Sequence, residues 1–528
     1  MGCIVKCKSG KYTYLYESAS YRDKNGKPQN KRICIGRIDP KTGQEVYKPE
    51  YLEKVWGTEN QPNTSDMKLF SENDIKMSQN KELGVSFLIN RIASSIGLTE
   101  ILRTVLPNEW EQVLTLASYM VASGEPAMYC EDWLHKTESI DASWLTSQKI
   151  SQLLISISEV DRSRFYEAWG AKRSEEEYFA LDITSVSSYS EMISDVGWGY
   201  NRDGENLAQI NICMLVGENS KLPIYQAVYN GALKDVSTLK TTLAVSSSLE
   251  LKNIAAVMDK GFGSKSNIDS MLSDVEGIRF LIALPFTMKF TKTQVESERK
   301  DIDTVDNTIV IGDDVIRGVT KIRAWSPFVK IYTHIYFNAA LAYQKRNTLY
   351  GKVARLREAA LVDPYNKKFS KDFSKYLCVR KSSVQAEGVT VTVRKDVLDK
   401  ELAHAGWMVA VSNFIDDAKT AILVYRAKDV VEKTFLRLKN CLDLARLRVH
   451  GDNAMQNKIF VGFIALIITA RIHNVMDVND MYKNMTMRKM LKSLETLRVQ
   501  YINGKRILYP PTALHKEIFT AFGFELPV

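Results

Sequence analysis

Histidine is scarce in this chain, with six in 528 residues and none grouped with another. That weakens any histidine-based acid–base site or zinc hydrolase. Cysteine is nearly as rare: seven residues, scattered at positions 3, 7, 34, 130, 213, 378 and 441. No disulfide framework follows from such spacing, and reduced thiols in a cytoplasm are expected. Cys3, Cys7 and Cys34 are the closest approach to a zinc set, but their spacing is loose and no histidine lies near. Long apolar runs are missing too. The longest, Ile459 to Ala470, is closed by Lys458 and Arg471; it is too short to span a bilayer and reads as a buried helix. The opening Met-Gly-Cys-Ile-Val-Lys-Cys-Lys has no apolar core, so no signal peptide and no membrane partner are expected. Charge of one sign does not dominate either. Lys and Arg number 71 against 62 Asp and Glu, a net +9, which permits a polyanionic partner without requiring one.

What is present is an ordinary soluble composition, 45% hydrophobic and 25% charged, over a length that suggests three or four domains. Residues 1–55 read as a small basic β unit. Short strand-like runs (Cys3–Lys6, Tyr12–Glu17, Lys31–Gly36) flank an Arg22–Lys27 turn. Lys6, Lys8, Lys11, Arg22, Lys24, Lys27, Lys31, Arg32 and Arg37 interleave there with Tyr12, Tyr14, Tyr16 and Tyr21, which suits either a nucleic-acid backbone or a solvated sheet. Residues 56–78 are polar and read as a linker. Residues 79–172 have helical periodicity, with a helix over 110–121 and a capped start at Thr146; the region suits binding of DNA ends or dimerisation.

From Tyr178 the period changes to that of strands. Runs at 178–186, 208–216 and 222–229 precede a helix near 236–249, a strand at 254–258, a glycine turn and helix, and a strand at 280–284. Three strands followed by helix, strand, helix and strand is the order of a ribonuclease-H-like α/β core, a mixed sheet flanked by helices. Residues 286–405 interrupt that core as an insertion, with strand-like runs at 308–315 and 331–337, a helix over 343–360, and a basic run from Lys367 to Lys381. The core resumes over 406–475, and a helical region follows over 476–528.

Within the resumed core, Val424 to Asn440 contains nothing that breaks a helix. One continuous helix would align Tyr425, Lys428, Glu432 and Lys439 along a single stripe beside the apolar Val424, Val431, Phe435 and Leu438. Upstream, Asp182 stands in the otherwise apolar or β-branched Phe-Ala-Leu-Asp-Ile-Thr-Ser-Val, and Asp259 ends Ala-Ala-Val-Met-Asp before a glycine turn. An aspartate at a strand end is often only a turn or cap residue. Three such acids together are also what two divalent ions require in phosphoryl transfer.

On these residues the chain resembles the DDE transposases of bacterial insertion sequences, in the superfamily named for insertion sequence four. The family motif Tyr-x2-Arg-x3-Glu-x6-Lys falls on Tyr425, Lys428, Glu432 and Lys439, with lysine at 428 where the family has arginine. Arg426 is nearby in sequence, but on a helix it points away from that stripe. Asp182 in Asp-x-Thr-Ser and Asp259 in Asp-x-Gly-Phe match the two family aspartates. The resemblance implies a cut-and-paste DNA transposase that binds terminal inverted repeats, cleaves them and joins the 3′-hydroxyls to target DNA. It implies Asp182, Asp259 and Glu432 as ligands of two Mg²⁺ ions, replaceable by Mn²⁺, with Tyr425, Lys428 and Lys439 on DNA phosphates. It further implies that the 286–405 insertion is a largely β domain, and it implies a homodimer on double-stranded DNA and a hairpin intermediate. A ribonuclease-H-like nuclease without strand transfer, or a transposase-derived DNA-binding protein with a dead site, would carry many of the same residues.

Overall fold

The computed structural model describes residues 3–10, 12–22, 27–40, 43–51, 78–140, 145–172, 178–199, 201, 204–233, 255–273, 278–364, 366–381, 389–442, 444, 446–503 and 505–527. The Asp23–Gly26 turn, nearly all of the expected linker and the expected helix near 236–249 lie outside them. The chain divides into two units, one of residues 1–80 with 500–508 and one of residues 81–499 with 509–528.

The smaller unit carries a four-stranded antiparallel sheet, β1 (Cys3–Ser9), β2 (Tyr12–Arg22), β3 (Pro28–Ile38) and β4 (Glu45–Tyr47), in that spatial order. Leu15, Ile35 and Gly36 are buried in it. β2 and β3 are much longer than the strands flanking them, because pairing runs from Thr13↔Ile38 to Arg22↔Pro28.

A short strand, β5 (Gln79–Glu82), leads into helices α1 (Gly84–Ser95), α2 (Leu98–Val105), α3 (Trp110–Ser123), α4 (Ser147–Ser156) and α5 (Glu159–Ala171) of the larger unit. Thr146 caps α4 by accepting from the Lys149 N–H, and Ser158 and Asp161 close a capping box on α5.

Strands β6 (Tyr178–Ser187), β7 (Gln209–Gly217), β8 (Pro223–Asn230), β9 (Ala255–Met258) and β10 (Arg279–Ala283) follow, with helix α6 (Lys265–Ser273) between the last two. Next come helix α7 (Lys289–Glu298) and β11 (Thr308–Ile311), β12 (Asp314–Ser326) and β13 (Val329–Phe337). Helix α8 (Ala339–Val362), helix α9 (Ser370–Tyr376), the ribbon β14 (Leu377–Lys381) and β15 (Val389–Val393), and helix α10 (Lys395–Leu402) lead to β16 (Trp407–Ser412). One sheet holds nine of these strands in the order β11-β12-β13-β16-β10-β9-β6-β7-β8. β6, β9 and β10 are mutually parallel and the remaining pairings are antiparallel. The run β8-β7-β6-β9-β10 is a ribonuclease-H-like arrangement in a mixed α/β sheet. Every residue of β7 is buried, as expected for a strand covered on both faces.

Two sequence expectations change here. The run 308–315 is not one strand: Gly312, at φ +58°, turns it back as a hairpin. The inserted strands β11–β13 do not form a sheet of their own. β13 pairs along its length with β16, from Tyr332↔Ser412 to Phe337↔Trp407, so β11–β13 prolong the central sheet. The rest of the insertion is mostly helical. Its own core joins Leu349, Val353 and Leu356 of α8 to Phe373 and Tyr376 of α9, so the aromatics of the basic run face inward.

Helix α11 (Ala418–Ala427) and helix α12 (Asp429–Cys441) follow β16, and α13 (Asp452–Val478) runs behind them. α13 is long and apolar enough to cross a membrane, yet it is enclosed here, with Ile459 to Ala470 buried throughout. Its one buried amide is fully used. Asn457 donates to Leu154 O (2.9 Å) and Ile157 O (2.8 Å) and accepts from Arg162 Nη1 (2.6 Å), tying α13 to the α4–α5 corner.

Candidate active site

The register of the parallel pair β6/β9 sets the first two acids side by side. Leu181 pairs with Met258, the last residue of β9. The next step along both strands brings Asp182 next to Asp259, about 5 Å apart at the backbone by ordinary strand spacing. Asp182 lies inside β6, opposite Met214 of β7. Asp259 sits just past the carboxyl end of β9, where open α/β sheets place their chemistry. It also does the bland work expected of such a residue: its Oδ1 accepts from the Lys260 N–H at 2.7 Å and caps a single 3₁₀ turn, Lys260–Phe262. Gly263 ends this turn against β10; a Cβ there would stand 2.5 Å from Ala283 O.

The third acid arrives on the helices after β16. α11 docks on the sheet through Ala421 and Val424, which pack with Val257, Leu281 and Ala410. It also docks through Ala418 and Ile422, which pack with Ile309, Ile316 and Tyr336 of the inserted strands. Tyr336 Oη donates to Ala418 O at 2.8 Å. The insertion therefore helps to seat the helix that carries Tyr425. Asp417 starts α11 by accepting from the Thr420 N–H at 2.7 Å.

The stretch Val424–Asn440 is not one unbroken helix, contrary to the sequence expectation. α11 stops at Ala427 and α12 starts at Asp429. Lys428 between them has φ −53° and ψ −21°, within the 3₁₀ range. Lys428 N–H donates to Tyr425 O at 3.3 Å, and Val431 N–H donates to Lys428 O at 3.0 Å, both three residues apart. One turn is thus wound more tightly. No proline or glycine announces it. The cause is tertiary: α11 lies on β9, β10 and the inserted strands, whereas α12 lies on β6 and β7.

At this corner the donors meet the acids. Tyr425 Oη donates to Asp259 Oδ1 at 3.0 Å. The Tyr425 phenol is pushed well above the usual phenol range, first by burial, then by the Asp259 charge and that hydrogen bond, and then by the charges of Glu432 and Asp182. It therefore remains a neutral donor, and it feels all three carboxylates. Lys428 Nζ donates to Glu432 Oε1 at 3.1 Å; the lysine side chain is only 6% exposed and the glutamate 58%. Arg426 points away as expected and pairs with Asp314 of β12 at 2.9 Å.

Lys439 lies farther along α12, where its charge helps to hold Glu205 below the usual carboxylate range. The larger causes of that lowering are hydrogen bonds to Glu205 from Arg446 and from Ser187. Arg446 grips both carboxylate oxygens of Glu205, at 2.7 and 2.5 Å, and Ser187 Oγ donates to Oε2 at 2.6 Å. Asn201 Nδ2 donates to that Ser187 hydroxyl at 3.0 Å. Sequence reasoning missed this network. Glu205 and Arg446 are 241 residues apart, and no spacing rule connects them.

A profile of the transposase DDE domain matches residues 173–468, more than half of the chain and the whole span from before Asp182 to beyond Glu432. The chain belongs to the DDE transposase family. As a member of it the protein is a transposase enzyme acting in DNA transposition. A comparison with curated proteins finds no match for this transposase. Among solved structures it is similar to the piggyBac transposase in a cryo-EM synaptic complex with hairpin DNA, at 10% identity, with 77% of this chain and 70% of that chain covered and a TM-score of 0.35.

DDE transposases generally use divalent metals, and the three acids suit such an ion in kind. All are hard oxygen donors, a set for Mg²⁺ or Mn²⁺ rather than Zn²⁺. Two of them are neighbours by strand register, and Tyr425 ties Asp259 to the corner that leads to Glu432. They are not closed around a common point: among the described residues, no three His, Cys, Asp or Glu side chains stand close enough to hold a metal. Asp259 is turned to Tyr425 and to the Lys260 N–H, and Glu432 to Lys428. Cys7 and Cys34 are free thiols.

Proposed function

We propose that this transposase belongs to the superfamily named for insertion sequence four, binds the terminal inverted repeats of its own element, cleaves them, and joins the freed 3′-hydroxyls to target DNA. Asp182, Asp259 and Glu432 are the residues that would hold two Mg²⁺ ions, with Mn²⁺ as a substitute. Such a pair activates a water or 3′-hydroxyl and stabilises the leaving oxygen of an in-line displacement. The chain's own part is positioning and charge. The observation that carries the reading is Tyr425, whose phenol, at the corner that leads to Glu432, donates to Asp259 next to Asp182.

The corner residues account for how like charges share one site. Neighbouring carboxylates repel; Tyr425 offsets this at Asp259 with a neutral donor, and Lys428 offsets it at Glu432 with a cation. Lys428 stands at the corner beside Glu432 and Lys439 in the last turn of α12, and phosphates of the cleaved strand are their partners in this reading. Lysine at 428 supplies charge without the bidentate geometry of arginine. In the same reading the smaller unit and the helices over 79–172 contact the DNA ends, the active complex is a homodimer on double-stranded DNA, and the protein works in the cytoplasm.

The test is Mg²⁺-dependent nicking of a duplex carrying the element's end. Asp182→Ala and Glu432→Gln proteins should bind the duplex and leave it uncut. Normal cleavage by either would remove the assignment. Inverted repeats bracketing the reading frame supply the duplex to use.

A further inference from the structure

Helix α8 of the insertion carries a face that the transposase reading does not use. Residues 339–381 hold eleven Lys and Arg against three Asp and Glu, a net +8 of the whole chain's +9. The rest of the chain is therefore close to neutral in sum. α8 buries Leu349, Val353, Leu356 and Ala360 against α9, the β14–β15 ribbon and α10. Residues seven apart on a helix share a stripe. Tyr343, Tyr350 and Arg357 form such a stripe to one side of the buried one, with Arg346 beside it. Tyr343 and Tyr350 stand 65% and 50% exposed, and both arginines are exposed.

The fold uses other cations of this segment for itself. Lys352 pairs with Asp372 at 2.9 Å, Lys375 pairs with Glu401 at 3.0 Å, and Arg355 Nε donates to Gly351 O at 3.1 Å. Tyr343, Arg346, Tyr350 and Arg357 have no side-chain partner among the described residues. Two phenols and two guanidiniums thus offer hydrogen-bond donors along about 21 Å of helix. Sheet register says where this face stands. The step after Met258↔Ile282 sets Asp259 beside Ala283; Ala283 pairs with Ala410, and Ala410 pairs with His334 of β13. β13 runs in the direction of β9, so Phe337 leaves the sheet at the edge where Asp259 lies. The two strands are three places apart, about 15 Å across the sheet. α8 starts at once: Asn338 N–H donates to Gly406 O at 2.8 Å, and the Asn338 side chain accepts from the Leu341 N–H at 2.8 Å. On the other side of the acids the sheet ends in β7 and β8. α5 rests on β8, with Trp169 Nε1 donating to Pro223 O at 2.9 Å. The acids therefore lie between α8 and the helices that precede β6.

We propose that α8 holds the duplex that flanks the element, by its phosphates and without regard to sequence. The inference rests on the transposase reading for its DNA and for the helices before β6 as holders of the element's end. DNA held there and cut at the acids continues past them on the β13 side, where the cations are. Arginine and tyrosine side chains donate to phosphate oxygens, and such contacts position a duplex without reading it. Flanking sequence differs from one insertion site to the next, so a surface that holds it has no use for base edges. A second copy of the chain does not suit this face, since a two-fold contact would set +8 against +8.

The experiment uses the full chain and two duplexes. One is the element's end with about 15 base pairs of flank, ~50 Å and so longer than α8. The other is the same end already cut, with no flank. Wild-type protein is first shown to nick the flanked duplex in Mg²⁺, and it should bind that duplex more tightly than the cut end. Arg346→Ala combined with Arg357→Ala changes two exposed positions, and a melting curve equal to wild type verifies the fold. This protein should bind the flanked duplex about tenfold to hundredfold more weakly, with a salt dependence lower by about two counterions. Its affinity for the cut end should stay that of wild type. Tyr343→Phe combined with Tyr350→Phe keeps the charge and should weaken the flanked duplex alone, by a smaller factor. Lys375→Gln, which removes a charge from the ion-paired side, should leave both affinities unchanged, as should scrambling the flank. Unchanged binding of the flanked duplex by both double variants, an equal loss on the two duplexes, a dependence on flank sequence, or a shift of oligomeric state without DNA would overturn the α8 proposal and leave the transposase reading in place. So would wild-type binding that ignores the flank. Absence of wild-type nicking would overturn that reading, and the proposal with it.

Discussion

Replacing Tyr425 with phenylalanine isolates the contact that gathers the acids. The ring stays, with its packing against the two apolar clusters on which α11 docks, and only the hydroxyl is lost. That hydroxyl donates to a carboxylate at 3.0 Å. Hydrogen bonds to charged groups contribute about 1.5–3 kcal/mol. Asp259 keeps the Lys260 N–H at 2.7 Å and remains open to water, so the lower end, ~1.5 kcal/mol, applies. At ~2.1 cal/mol/K per residue, the larger unit has an unfolding entropy near 0.9 kcal/mol/K, and the loss lowers its melting temperature by ~2 °C. The assay is a thermal melt in EDTA, repeated in 10 mM MgCl₂. In EDTA the phenol is one of the groups relieving carboxylate repulsion; an ion bound to the acids takes over that task. The gap between wild type and Tyr425→Phe should therefore narrow in Mg²⁺. Equal melting of the two proteins in EDTA, or a gap that widens in Mg²⁺, would refute the reasoning.

Lys428→Met should melt within ~1 kcal/mol of wild type, since it removes a buried charge together with an ion pair whose glutamate is already half in water. The same protein should cleave element ends at least about tenfold more slowly at saturating DNA; unchanged cleavage would free Lys428 from the site. Burial pushes His334 and His473 down to about 4 from 6.5. The unfolded chain then binds more protons than the folded one between those values, so stability should fall as pH drops from about 6.5 to about 4 and level off below. His334→Gln should flatten part of that slope in urea melts, and an unaltered slope would contradict the burial argument. Glu205→Gln removes the carboxylate that Arg446 grips with both nitrogens; it should destabilise the protein near neutral pH and lessen its loss of stability as acid is added below the ordinary glutamate range, read by the same melts.

The parts of the fold visible in the sequence are those fixed by local pattern. The buried run of β9 ending in Asp259, the β-branched strand around Asp182 and the apolar stripe Val431–Phe435–Leu438 each follow from periodicity over a few residues. Asp182 and Asp259 stand out in the sequence because an isolated carboxylate in or at the end of an apolar strand is costly and so conspicuous. What stayed hidden depends on partners far along the chain. Nothing in Thr308–Phe337 tells that it pairs with Trp407–Ser412 rather than forming a sheet of its own. The tight turn at Lys428 arises because α11 and α12 rest on different strands. Lys439 shares a stripe with Glu432 on paper, yet its charge acts at Glu205, which sequence spacing does not connect to it.

The central claim is that Asp182, Asp259 and Glu432 are three sides of one cation site. Anomalous scattering from crystals of the wild-type protein soaked in Mn²⁺ tests it directly. The account predicts peaks between Asp182 and Asp259, with Glu432 swung off Lys428 to meet the ion, and none in crystals of Asp182→Ala. Manganese absent from that cleft at occupancies found elsewhere in the crystal, or bound with Glu432 still held by Lys428, would contradict it.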